Sequence, residues 1–99
     1  MSHAASSHKR DRIEVGFVEA DVEIGFSLVD IAHAQFESGD TVVAARVLED
    51  CEDVFRDIQL RLSRMGASEQ GHFAALLGEL RREVDGLQDR FQDRAGAAP

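Results

Sequence analysis

Two segments of this 99-residue chain place an acid and a histidine three residues apart: Asp30-x-x-His33 and Glu69-x-x-His72. On a helix this spacing brings both side chains to one face. Metal-binding helical bundles project such a pair inward from two of their helices. A third chemical group is Cys51, the chain's single thiol. A fourth is the run "EDCEDVFRD", whose Glu49, Asp50, Glu52, Asp53 and Asp57 suit a basic partner. Each has a plainer reading. Cys51 stands between Leu48 and Phe55 on an apolar stripe, where a thiol packs as a small hydrophobe and burial makes it inert. The acidic run is interleaved with Arg46, Arg56 and Arg61, as a solvated helix face would be. The serines gather near the start of the chain and at helix caps, and the glycines are scattered, with no phosphate-binding loop. The expectation is a protein that is not an enzyme, with no cofactor and no metal.

Whether the two acid–histidine pairs can meet depends on the elements that carry them. Three long helical patterns span about 15–38, 41–65 and 69–94. The second has the stripe Ala44, Leu48, Cys51, Phe55, Ile58, Leu62 and Met65, a 4-3 repeat flanked by Val47 and Val54. The third has Phe73, Leu77, Leu80, Val84, Leu87 and Phe91, with Leu76 beside it. The first is broader: Phe17, Val18, Ile24, Leu28, Val29, Ile31, Ala32 and Phe36. Gly25 lies inside it, where close approach of a second helix or simple tolerance would account for it. Residues 13–26 also show β-branched alternation, so a helical or an extended start stays open there. The connectors are short. In "SGD", Gly39 suits a left-handed helix end and Asp40 or Thr41 the next N-cap; in "MGAS", Gly66 and Ser68 suit the same two roles. Loops this short impose antiparallel neighbours. The pairs Glu52 with Arg56, Asp57 with Arg61 and Arg81 with Asp85 are expected to mark solvated faces.

The result is an all-α, antiparallel up-down-up three-helix bundle over residues 13–94. A flexible arm over 1–12 and a frayed tail over 95–99 complete the chain. In that bundle His33 lies at the exit of the first helix and His72 at the start of the third, roughly 25 Å apart, so they share no metal within one chain.

Composition narrows the function. Nineteen acids against eleven bases give a net charge of −8, which disfavours nucleic acid and anionic membrane surfaces as partners. No apolar run is long enough to span a bilayer, and "MSHAASSHKRDR" lacks the apolar core of a secretory signal. The lone cysteine points to a reducing, cytoplasmic setting. With one Lys beside ten Arg, coding bias accounts for the arginines better than chemistry does.

Residues 28–51 resemble a tetratricopeptide (TPR) helical hairpin. Leu28 stands at that family's first bulky position, and Ile31 and Ala32 at its Leu-Gly, followed by the small Ala34. Gly39-Asp40 match the turn, and Ala44, Leu48 and Cys51 the small, bulky and small positions after it. Gln35 and Thr41 depart from the family's aromatics, no proline ends the second helix, and no second copy follows. The resemblance implies close packing of two helices and, by analogy, protein–protein interaction. The expected role is therefore a small adaptor, regulatory or self-associating domain, acting on another protein or as a homodimer. Phe17, Val18, Val22, Phe26, Val43 and Leu60 are the expected contact surface. A ligand- or metal-binding bundle and an acidic mimic of nucleic acid are the alternatives.

Overall fold

The computed structural model describes the backbone of residues 2–97 and the side chains of residues 12–94. Three helices follow one another: α1 (Ser2–Glu37), α2 (Thr41–Ser63) and α3 (Ala67–Ala97). They form an all-α three-helix bundle, a rod 68 Å long. Cross-bundle contacts fix the directions. Arg61 near the end of α2 meets Glu14 in the N-terminal half of α1, and Cys51 in the middle of α2 meets Gly25 further along α1, so those two are antiparallel. Phe36 packs edge-on against Phe91, with ring centres 5.0 Å apart, so α1 and α3 run the same way.

The helices start and stop where side chains permit. Gly39 ends α1 at φ +88°, a conformation only glycine adopts without strain. Its N–H donates to the Phe36 carbonyl (3.1 Å), and that of Asp40 to Gln35 (2.9 Å). Asp40, not Thr41, caps α2, its carboxylate accepting from the Val43 N–H at 3.1 Å. The second connector departs from expectation. Gly66 has no positive φ, and α3 begins at Ala67, which places Ser68 inside the first turn. The Gln70 N–H donates to the Gly66 carbonyl (3.1 Å), and the Gln70 side chain holds the Met65 carbonyl (3.0 Å). Side chain and backbone together close this corner without a left-handed residue.

Residues 13–26 are helical, which resolves the open choice at the start of α1. The arm expected over 1–12 is helical backbone from Ser2 onward. "SHAASSHKRDR" contains no Gly or Pro, so nothing in it stops the helix from propagating outward. At the other end α3 continues to Ala97, and 98–99 of the expected tail lie outside the described residues.

The core is assembled from a 4-3 row on each helix, and all of its buried hydrophobic side chains but Phe36 and Ala44 join one cluster. α2 supplies Ala44, Leu48, Cys51, Phe55, Ile58 and Leu62, all buried. α3 supplies Phe73, Leu80, Val84 and Leu87, with Leu77 and Phe91 partly buried beside them. α1 supplies Val18, Val22, Gly25, Val29, Ala32 and Phe36. The small members set the spacing. The Cys51 thiol reaches the Gly25 carbonyl at 3.5 Å. A Cβ on Gly25 would lie 2.9 Å from a Leu80 methyl, so Gly25 admits both neighbours at once.

Candidate functional site

The exposed apolar side chains of α1 form a second 4-3 row beside the buried one. It runs Ile13, Phe17, Ala20, Ile24, Ser27, Ile31 and Ala34, every member exposed. Ile13, Phe17, Ile24 and Ile31 keep 52%, 50%, 48% and 47% of their surface in water, a large residue at every fourth or seventh position. Ala20 and Ser27 sit between Phe17, Ile24 and Ile31, and Ala34 follows, so from Phe17 onward the row alternates large and small.

α2 continues this face. Val47, Val54 and Arg61 recur at seven-residue spacing and so share one row, and Arg61 bonds to Glu14 and Asp21 of α1. That row therefore borders α1. Val47 and Val54 are partly buried against the core, as is Leu28 opposite them. Val43, Asp50 and Asp57, all exposed, form the next row outward. The α1–α2 seam is thus bordered by Leu28, Val47 and Val54 toward one end and by Glu14, Asp21 and Arg61 toward the other, with Phe17, Ile24 and Ile31 exposed beside it. α3 lies across the other flank, where Arg81 of α3 grips Glu52 and where His72 and Phe73 border Glu23 and Phe26.

The expected contact surface divides accordingly. Val18 (0% exposed) and Val22 (5% exposed) belong to the core. Phe26 is half-buried beside α3. Phe17 and Val43 lie on the open face. Leu60 is 53% exposed and shares the more distant row of Arg46 and Asp53. Ile24 and Ile31, expected inside, are outside. Two adjacent rows of α1 are apolar, and composition alone favoured both; the seven-residue recurrence of Phe17, Ile24 and Ile31 was the available sign of a separate stripe.

Arginines seal the seams. Arg61 lies over the Phe17 ring (5.0 Å) and bonds Glu14 at 3.5 Å and Asp21 at 3.4 Å. Arg81 lies over Phe55 (5.0 Å) and bonds Glu52 at 2.6 Å and Asp85 at 2.7 Å, while Gln88 adds a bond to Glu52 at 2.8 Å. Arg90 and Arg94 lie over Phe36 at 4.9 and 4.2 Å, and Arg90 also pairs with Glu37. Of the three expected intrahelical pairs, only Arg81 with Asp85 forms. Glu52 and Arg61 turn inward to partners on other helices, and Arg56 takes Asp53. A guanidinium over a ring, held by a carboxylate, gains more than an exposed pair on one helix does. Chemistry at the seams therefore accounts for these four arginines.

The groups that looked reactive are occupied. Arg90 donates to His33 Nδ1 at 3.0 Å, which places the ring proton on Nε2, 3.9 Å from Glu37. Hydrogen bonding to Arg90, and then its charge, holds the Glu37 carboxyl below the usual range. The Glu52 carboxyl is lowered by its hydrogen bonds to Arg81, which raise the Arg81 guanidinium in return. His72 stacks edge-on against Phe73 beside the middle of α1, while His33 lies against the C-terminal half of α3. The two acid–histidine pairs stay apart. Burial pushes the Cys51 thiol up to about 11.

No described helix is long and apolar enough to cross a membrane. Compared with protein-family models, curated proteins and solved structures, the chain matches none.

Proposed function

We propose that this bundle is a non-enzymatic protein–protein interaction module whose contact face is the open side of the α1–α2 hairpin. The observation that carries this reading is the second row of α1. A solvated helix face has no need of Phe17, Ile24 and Ile31 in register over two heptads, and stripes of this kind on folded domains mark partner sites. The hairpin supports the reading through its likeness to a TPR unit. Gly39 makes the left-handed turn, and Ala32, Ala44 and Cys51 are fully buried where two helix backbones draw close. With α1 at 36 residues, the hairpin is much longer than a TPR unit, and α3 closes its apolar edge in place of a neighbouring repeat. The single thiol, buried and protonated at neutral pH, accords with a reducing, cytoplasmic setting.

The test uses the full chain as an affinity bait beside an Ile24→Asp/Ile31→Asp variant and a Val42→Asp control. A partner retained by wild type and control and lost from the variant supports the reading. Identical retention by all three overturns it. Self-association through α1 is the second reading, favoured because alternating large and small residues can interlock with a second copy. Sedimentation equilibrium at high micromolar concentration decides it, since a clean monomer ends that version.

A further inference from the structure

The open face carries charge as well as apolar surface, and the charge is unevenly placed. Across residues 13–63 twelve acids face three arginines, whereas residues 64–97 hold six acids and five arginines. From 13 to 37 there are six acids and no Lys or Arg; Glu19, Glu23, Asp30 and Glu37 lie on the α3 flank, which leaves Glu14 and Asp21 on the α2 side. Asp21 lies at the seam, and the exposed Asp50 and Asp57 line its α2 side. Among the described residues the base that reaches the seam is Arg61, held by Glu14 and Asp21.

Resting on the interaction-module reading, we propose that this face seats one amphipathic helix of another protein, with Lys or Arg flanking its apolar stripe. Two antiparallel helices leave a lengthwise trough that a third rod fills, as the fourth member of a four-helix bundle. The row from Ile13 to Ala34 is about 32 Å long, which matches about 21 helical residues. Ala20 and Ser27 let the incoming backbone approach, while Phe17, Ile24 and Ile31 give it ridges to pack between. Charge selects the occupant. A second copy would bring two strongly acidic hairpins face to face, Asp50 and Asp57 of each among them, and like charges at an interface oppose association. The chain's own basic segment, "SHKRDR", has no apolar residue to enter the trough. A basic amphipathic helix satisfies both the ridges and the carboxylates, as in helix-in-groove recognition.

Two synthetic 21-residue probes test this on the full chain by fluorescence anisotropy. Both carry Leu and Ile at 4-3 spacing; one has Lys and Arg on its flanks, the other Glu. The basic probe is expected to bind at least tenfold more tightly than the acidic one. Asp50→Lys/Asp57→Lys, which disturbs no core residue, weakens it at least threefold. Ile24→Asp/Ile31→Asp weakens it at least tenfold, with helical circular dichroism unchanged. Val42→Asp and Leu76→Asp, exposed apolar sites elsewhere, leave it unchanged. Equal binding of both probes, or indifference to the Asp50/Asp57 pair, overturns the proposal. If neither probe binds but the chain dimerises and Ile24→Asp abolishes the dimer, the partner is a second copy; the proposal fails and the interaction module survives. A monomer that binds neither probe ends both.

Discussion

Along α1, Val18, Val22, Gly25, Val29, Ala32 and Phe36 keep the same 4-3 spacing as Ile13, Phe17, Ala20, Ile24, Ser27, Ile31 and Ala34. The first row is sealed by α2 and α3. The second is about half exposed at each large position. The sealed row is built of smaller side chains than the open one: three valines, an alanine, a glycine and a single phenylalanine. Close approach between helices rewards small residues, and the largest ones then remain on the side with room. Hydrophobicity alone therefore does not say which face of this helix is core.

The largest expected effect tests that contrast directly. Val22→Asp places a carboxylate in the core with no partner and is expected to cost about 3–5 kcal/mol. Ile24→Asp, two residues on, is expected to change stability by no more than about 0.5 kcal/mol. Urea unfolding of the two variants measures both. Equal losses would mean that the open row is packed against something and would erase the distinction.

Why the rows were hard to tell apart in the sequence follows from residue chemistry. On α2 and α3 a single 4-3 stripe stands out against charged neighbours, and those stripes are the ones in the core. On α1, Phe17 precedes Val18 and Ile31 precedes Ala32, so positions about 100° apart around the helix both look apolar. At the centre the roles reverse: Gly25 is the buried residue and Ile24 the exposed one. No hydrophobicity argument chooses a glycine over an isoleucine. That choice is visible only when Cys51 and Leu80 arrive from the other two helices. The arginine seams were hidden for a similar reason. Spacing within a helix suggested partners for Glu52 and Arg61, but residues far apart in the chain hold them. Asp40 and Gly39, whose bonds are local, were legible.

Two glycines of α1 separate the sealed from the open side at a smaller scale. Gly25→Val drives a branched side chain into the Leu80 methyl and is expected to cost about 2 kcal/mol by overpacking. Gly16→Ala meets no atom within 4 Å and is expected to add up to about 1 kcal/mol through helix propensity. Thermal melts of the pair should move in opposite directions. Parallel shifts would show that the α1–α3 approach at Gly25 is not close-packed.

Cys51 gives the sealed row a pH signature. Its folded pKa is raised from 9.0 to about 11, so the folded state favours the neutral thiol. Stability from this group is complete below pH 9 and is lost as pH rises from 9 to 11, on the order of 2 kcal/mol in all. The chain has no Tyr and a single Lys, so little else titrates in that window. Denaturant midpoints across pH 8–11 should fall for wild type and stay nearly level for Cys51→Ala. A level wild-type profile would place the thiol in contact with water.

The smallest expected effect lies where the sealed and open rows meet. Arg61 covers the Phe17 ring and pairs with both Glu14 and Asp21 at one end of the trough, but all three charged groups are partly solvated. Pairs of that kind contribute little, so Arg61→Ala is expected to cost only about 0.5 kcal/mol in urea unfolding. Its effect on recognition should run the other way. Removing the guanidinium frees two carboxylates and uncovers the face of Phe17, so the trough becomes more negative and more apolar together. A basic amphipathic probe should bind Arg61→Ala more tightly than wild type, and the advantage should shrink with added salt as the freed charges are screened. Weaker binding by the variant would mean that Arg61 itself holds the occupant, through an acidic group on the incoming helix. The charge pattern inferred for the partner would then have to be inverted at that end of the trough.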